Sequence, residues 1–242
     1  LKLPEKPYGA SAPLKREQAM NHKPESVDVA MKSIVILISG QGSNMRALLE
    51  ADLPCRIAAV ISNRATAPGL EIAKQYGITT RVVAHQDYPD RESFDSELAT
   101  CIDEYQPDLI VLAGFMRILT PQFVARYQNK IVNIHPSLLP VYSGLNTHAR
   151  ALRDGVKIHG CTVHFVTSDV DHGPIIIQAA VPVLTDDTPA TLAARVLHQE
   201  HRIFPQAIRW LCDNDIRLND EGKVLMNRPE QSDCSLISPK ME

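Results

Sequence analysis

Residues 131–140 read IVNIHPSLLP. An apolar run opens the stretch, and Asn133 and His135 then flank Ile134. On a β-strand alternate side chains leave the same face, so Asn133 and His135 point together and Ile134 points away. Pro136 has no N–H for a strand ladder and disfavours helix at His135, so the strand ends there. An amide and an imidazole are thus set side by side at the carboxyl end of a strand. In open α/β sheets that end is where ligands bind.

Upstream, the short apolar runs at 33–38, 56–61, 79–83 and 109–113 suit buried parallel strands. Helical patterns follow Asn44 and cover 68–76, 91–105 and 121–127, with Gly77 and Pro107 as stop signals. Downstream, 148–154 reads as a helix stopped by Gly155, 160–166 alternates like a strand, and 175–184 is a strand whose Pro182 marks an edge. A long helix over 188–212 starts at Thr188 and Pro189, and short strands are expected at 216–218 and 223–225. This order predicts a single-domain α/β fold: a mostly parallel, twisted, Rossmann-like sheet of about seven strands with helices on both faces.

Residues 1–30 carry prolines, lysines and glutamates without apolar periodicity, and are expected to be a disordered leader or tag-like extension. Ordered patterning begins after Met31, so the domain is placed at 31–226 and a tail at 227–242. A net charge of −3 argues against a protein that grips nucleic acid by neutralising phosphates. No apolar run reaches ~18 residues and no signal-peptide stretch opens the chain, so neither a membrane span nor secretion is expected. Five cysteines without a C-x-x-C pair suggest reduced thiols in the cytoplasm, with neither a disulfide framework nor a zinc site.

The loop Ser39-Gly40-Gln41-Gly42-Ser43-Asn44 joins the first strand to a helix. Glycines there let a backbone approach a ligand, and a helix N-terminus favours a phosphate. The plainer reading is a βα turn with Ser43 as N-cap. A dinucleotide fingerprint is broken, because Met45 stands where its third glycine would fall and the second strand runs into Ser62-Asn63-Arg64 without an acid. Residues 114–119 (GFMRIL) read either as a connector packed on the core or as an apolar slot for a flat heterocycle.

Of the other histidines, His85, His159, His172, His198 and His201 read as surface or packing residues, and His148 as a capping or packing residue. For His164, inside an alternating strand, core and functional readings both stand. The sequence has no G-x-S-x-G elbow and no H-E-x-x-H, so serine hydrolysis and zinc proteolysis lack support and no metal is expected. Non-covalent acyl transfer fits better: Asn133 and a protonated His135 can donate to a tetrahedral oxyanion. A carboxylate beside His135 would favour the imidazolium, and Asp169 and Asp171 are the candidates.

The segments IVILISGQGSNM, VLAGFMRIL, IVNIHPSLLP, HGCTVHFVTSDVDHGPII and QEHRIFP occur in order across most of residues 31–211. In them the chain resembles the folate-dependent formyltransferases, and within that family the phosphoribosylglycinamide formyltransferase branch. The resemblance implies transfer of a formyl group from 10-formyltetrahydrofolate to the amine of glycinamide ribonucleotide, a step of purine synthesis. It implies that Asn133 and His135 hold the oxyanion and that Asp171, rather than Asp169, raises the pKa of His135. Gly42, Ser43 and Asn44 would hold the ribonucleotide phosphate and Glu200 its ribose. Met116, Arg117, Ile118 and Leu119 would line the pterin slot, with Val166, Thr167 and Ser168 opposite and Arg91 at the folate's glutamate tail. A cis peptide is expected at Leu139-Pro140. Asn146, where the family usually has histidine, departs from the pattern, as do Val141, Ser143 and His172. A monomer or a homodimer is expected. A methionyl-tRNA formyltransferase or a formyltetrahydrofolate hydrolase would need further domains for which residues 1–30 and those after Leu211 are too few. A sugar-nucleotide formyltransferase and, less well, a nucleotide-binding module are the remaining alternatives.

Overall fold

The structure, a computed structural model, describes residues 31–227. The expected leader, and the expected tail from residue 228 onward, lie outside the described residues. Strands β1 (Lys32–Ile38), β2 (Cys55–Ser62), β3 (Thr80–Val82), β4 (Leu109–Leu112) and β5 (Ile131–His135) run parallel in the order β3-β2-β1-β4-β5. Strands β6 (Ile158–Phe165) and β7 (Ile175–Pro182) extend the same sheet antiparallel, with β7 at the edge that Pro182 requires. A separate two-stranded sheet joins β8 (Ile216–Leu218) to β9 (Val224–Met226).

The period of two in β1 distributes its residues between two cores. Ile34, Ile36 and Ile38 pack with Met45 and Leu48 of α1 (Ser43–Glu50), Leu70 of α2 (Gly69–Gln75) and Phe204 and Ile208 of α6 (Pro189–Cys212). Val35 and Leu37 pack on the opposite face, with Phe94, Leu98 and Ile102 of α3 (Arg91–Asp103) and Phe123 of α4 (Pro121–Arg126). Each such side chain, fully buried, contributes about 1.5–3 kcal/mol. The first connections run one way from β1 and the later ones run the other way from β4. The crevice at the carboxyl ends of these two strands is therefore the topological switch point.

One local reading is corrected. Ser43 is the first residue of α1 and not its N-cap: Gly42 takes that place at φ 74°, with no side-chain cap. A left-handed residue is easiest as glycine, and a Cβ there would also lie 2.9 Å from Gly69 Cα. Helix α6 continues through Pro205, which removes a backbone donor at a cost of about 3 kcal/mol. Burial of Ile203, Phe204, Ala207 and Ile208 on either side offsets that loss.

Candidate active site

The register of β5 sets the site. Asn133 lies opposite Leu112 on parallel β4 and opposite His164 on antiparallel β6, and His135 lies opposite Thr162. Strand β6 runs against β5 and exits beside its amino end, with Phe165 opposite Val132, and the loop that follows turns back to set Asp171 beside His135.

His135 Nδ1 lies 3.4 Å from Asp171 Oδ2, and both side chains are largely buried. On the other side of the ring, Nε2 lies 3.0 Å from the Tyr142 carbonyl oxygen. A carbonyl only accepts, so Nε2 carries a hydrogen and Nδ1 is the nitrogen left to gain or lose a proton. Asn133 Nδ2 lies 3.2 Å from His164 Nε2, while His164 Nδ1 is 2.8 Å from the Phe165 carbonyl. Burial lowers the His164 pKa, against smaller raising contributions from the Phe165 carbonyl and Asp171. Asp171 Oδ1 stands 3.8 Å from His164 Nε2, too far for a hydrogen bond. Asp169 is exposed, and its backbone carbonyl accepts from Thr167 Oγ1 at 3.1 Å.

The segment 136–146 is suspended from these catalytic candidates. Gly144 donates its N–H to Asp171 Oδ2 at 2.7 Å, beside the Tyr142 contact to His135. Ser137 Oγ donates to the Val141 carbonyl and Thr147 Oγ1 to the Pro136 carbonyl, each at 2.7 Å. Arg150, on α5 (Thr147–Asp154), donates to the Ser143 carbonyl and stacks over the Tyr142 ring. The Leu139-Pro140 peptide is cis. Behind His135, the His159 ring meets Tyr142 and His148 edge-on. Burial, and then the neighbouring His148, depress the His159 pKa to about 4.

At the end of β1 a second corner is formed. Asn44 Nδ2 donates to Glu200 Oε2 at 2.6 Å, linking α1 to α6. Both are buried, and burial raises the Glu200 pKa against the opposing effect of Asn44. Asn44 Oδ1 is buried with no hydrogen-bond partner among the described residues. Gly42 and Ser43 sit at the same helix start, where free N–H groups favour an anion.

Residues 115–119 form the strap after β4. Met116 and Ile118 are exposed, Leu119 is buried, and Met116 N–H donates to Ser39 Oγ at 2.7 Å. Ser39 in turn donates to Asn63 Oδ1 at 2.6 Å, so a buried hydroxyl ties the strap to β1 and β2. The Arg117 guanidinium turns back over the Phe94 ring instead of out to solvent. Val166, Thr167 and Ser168 follow β6, and Val166 N–H still bonds the Ile131 carbonyl. Arg91 is exposed at the first turn of α3. Hydrogen bonds and close charged approaches unite Asn133, His135, His164 and Asp171 in one cluster and Asn44 and Glu200 in another, and among the described residues none of them ties Arg91 or Thr167 to either. No group of three or more His, Cys, Asp or Glu side chains suited to a metal occurs among the described residues. Likewise, no helix among them is long and apolar enough to cross a membrane.

Two contributors escaped the sequence reading, and a third, His164, was named without a partner. Tyr142 acts through its carbonyl, which no side-chain pattern marks. Ser39 gains its role from Met116, distant in the chain. His164 was visible as a polar residue on an apolar strand, but only the β5–β6 register shows what it touches.

A formyl transferase family model matches residues 32–208. Phosphoribosylglycinamide formyltransferase of Escherichia coli is 48% identical over 197 residues, covering 80% of this chain and 93% of that protein. The human trifunctional purine biosynthetic protein adenosine-3 is 44% identical over 221 residues, 90% of this chain but 22% of the human protein. A crystal structure of glycinamide ribonucleotide transformylase 1 from Symbiobacterium toebii superimposes with a TM-score of 0.78 at 46% identity, over 81% of this chain and 94% of that one. On its sequence and its sheet alike, the chain belongs to the formyl transferase family.

Proposed function

We propose that the chain transfers the formyl group of 10-formyltetrahydrofolate to the amine of glycinamide ribonucleotide, as the names of its relatives suggest. It does so in the cytoplasm, as a monomer or homodimer, through a domain at residues 31–226. The observation that carries the mechanism is the division of labour on His135: Nε2 is held by the Tyr142 carbonyl, so Nδ1 faces Asp171 and the reacting group.

The substrate amine attacks the formyl carbon, and a C–N bond forms as the C=O π pair moves to oxygen. That oxygen is received by Nδ1–H of a protonated His135 and by the Asn133 amide. Asp171, as a carboxylate, stabilises the charge on the ring. Collapse of the intermediate re-forms the carbonyl and breaks the bond to folate N10. One proton leaves the former amine and one reaches N10, with Asp171 the nearest acceptor for the relay. Such donors, pre-aimed in a site that excludes water, need no reorganisation as charge develops.

Gly42, Ser43 and Asn44 receive the ribonucleotide phosphate at the start of α1, and Glu200 takes a ribose hydroxyl. The pterin lies between the 116–119 strap (Met116, Arg117, Ile118, Leu119) and Val166, Thr167 and Ser168, with Asn133 at its reactive end. Arg91 meets the anionic glutamate tail. The test is formyl transfer by the wild-type chain and by His135→Ala, offered glycinamide ribonucleotide and an amino-sugar nucleotide in turn. Transfer to the ribonucleotide that His135→Ala reduces by about 10²-fold or more supports the proposal. Near-wild-type activity of His135→Ala removes the mechanism, and preference for the sugar nucleotide removes the substrate.

A further inference from the structure

We infer that His164 is a positioning residue: its imidazole aims the Asn133 amide so that an N–H, and not the carbonyl oxygen, faces the developing oxyanion. The inference rests on the role proposed above for Asn133. A carboxamide has two nearly isosteric ends, a donor and an acceptor. Turned by 180°, Asn133 would set Oδ1 against a negative oxygen and raise the barrier it is there to lower. Something must therefore break the symmetry.

The geometry supplies it. His164 Nδ1 is 2.8 Å from the Phe165 carbonyl, an acceptor only, so the ring's hydrogen lies on Nδ1. Nε2 then has a lone pair and only accepts. Asn133 Nδ2, at 3.2 Å, meets that lone pair as a donor, and Oδ1 in its place would meet lone pair with lone pair. The choice is thus handed down from a backbone carbonyl, through an imidazole, to an amide. The second N–H on Nδ2 stays free for substrate. His164 is 2% exposed and sits in the strand pairing directly opposite the half-buried Asn133, so the ring that sets the choice has little freedom to turn. A neutral ring fits this packing, because burial disfavours the charged form. The competing arrangement is a doubly protonated His164 paired with Asp171, whose Oδ1 is 3.8 Å away.

The full chain labelled with ¹⁵N reports the ring directly. Nitrogen shifts of His164 near neutral pH should mark Nδ1 as protonated and Nε2 as bare. A doubly protonated ring, or a hydrogen on Nε2 alone, overturns the inference without any variant. In kinetics, His164→Leu should lower kcat by about tenfold to a hundredfold with KM for both substrates within about twofold, and His164→Gln, whose Oε1 can accept near the place of Nε2, should recover much of it. In an Asn133→Ala background His164→Leu should cost nothing more; a full multiplicative loss there means that His164 only packs. Asn133→Ala with wild-type kcat would remove the role of Asn133, and this inference with it. Loss in Asn133→Ala but not in His164→Leu would overturn the inference alone.

Discussion

Asp171 faces His135 across 3.4 Å, Oδ2 to Nδ1, from a backbone held in the left-handed region at φ 58°. Asp and Asn tolerate that conformation, whereas other L-residues lose about 1–2 kcal/mol there. Asp171→Asn should therefore keep its stability within about 1 kcal/mol while kcat drops by about 10²-fold or more. Asp171→Ala should lose similar activity and about 1 kcal/mol further in stability. Denaturant melts beside steady-state rates separate the two effects, and an active Asp171→Asn would count against the charge as the agent.

Glu200 is a buried carboxyl whose pKa burial has raised, so its charged form weakens the fold at neutral pH and the penalty fades as pH falls through the raised value. Glu200→Gln keeps an acceptor for Asn44 and removes the charge. Tm should rise by about 2–4 °C at neutral pH, on the order of 1 kcal/mol for a domain of this size. On the ribose contact proposed above, KM for the ribonucleotide should rise about tenfold, since a charged hydrogen bond would be weakened. Calorimetry with and without ribonucleotide tests both halves.

Gly173 and Gly155 should respond in opposite ways. A Cβ on Gly173 would stand 1.7 Å from the Phe165 carbonyl oxygen, the same carbonyl that holds His164, in the loop that carries Asp171. Gly173→Ala should cost about 2 kcal/mol or more and reduce kcat, because backbone has to move. Gly155, at φ 68° with open space around it, should lose about 1 kcal/mol as alanine and keep its kcat. Equal kcat in the two variants would contradict this.

His159 is neutral when folded, with its pKa at about 4 against an ordinary 6.5. Between those values the unfolded chain binds more protons, so stability rises with pH through the window and is lost as pH falls from about 6.5 toward about 4. The loss is about 3 kcal/mol for this residue, to which the depressed pKa values of His148 and His164 add. His159→Phe keeps the edge contacts and should flatten the pH dependence of urea midpoints across that range.

Ser39→Ala would leave the Met116 N–H and Asn63 Oδ1 without their partner. The strap should loosen, raising the folate KM about tenfold while kcat at saturation and the ribonucleotide KM hold. A change in the ribonucleotide KM alone would show that Ser39 serves the phosphate corner instead.

Most of the sheet was legible because its strands are buried on both faces and bounded by glycine and proline, as with 33–38 before Gly40 and 131–135 before Pro136. Element ends shifted by only a residue or two. The N-cap at Gly42 was misread because serine is the commoner cap and φ is not written in the sequence. The pairing of Asn133 and His135 on one strand end followed from a period of two. The partnership of Asn133 with His164, and of His135 with the Tyr142 carbonyl, did not, because the first depends on the register of another strand and the second on the path of the turn just after β5.

The Tyr142 carbonyl has a chemical corollary beyond orientation. A histidine reactive enough to assist acyl transfer is also a target for electrophiles and transition metals, which seek an unshared pair on nitrogen. With Nε2 committed to an oxygen that has no hydrogen to give back, that side of the ring offers no unshared pair. Only Nδ1, the nitrogen proposed to meet the formyl group, stays open, so an imidazole-directed reagent should enter His135 from the side of Asp171, and folate should shield it.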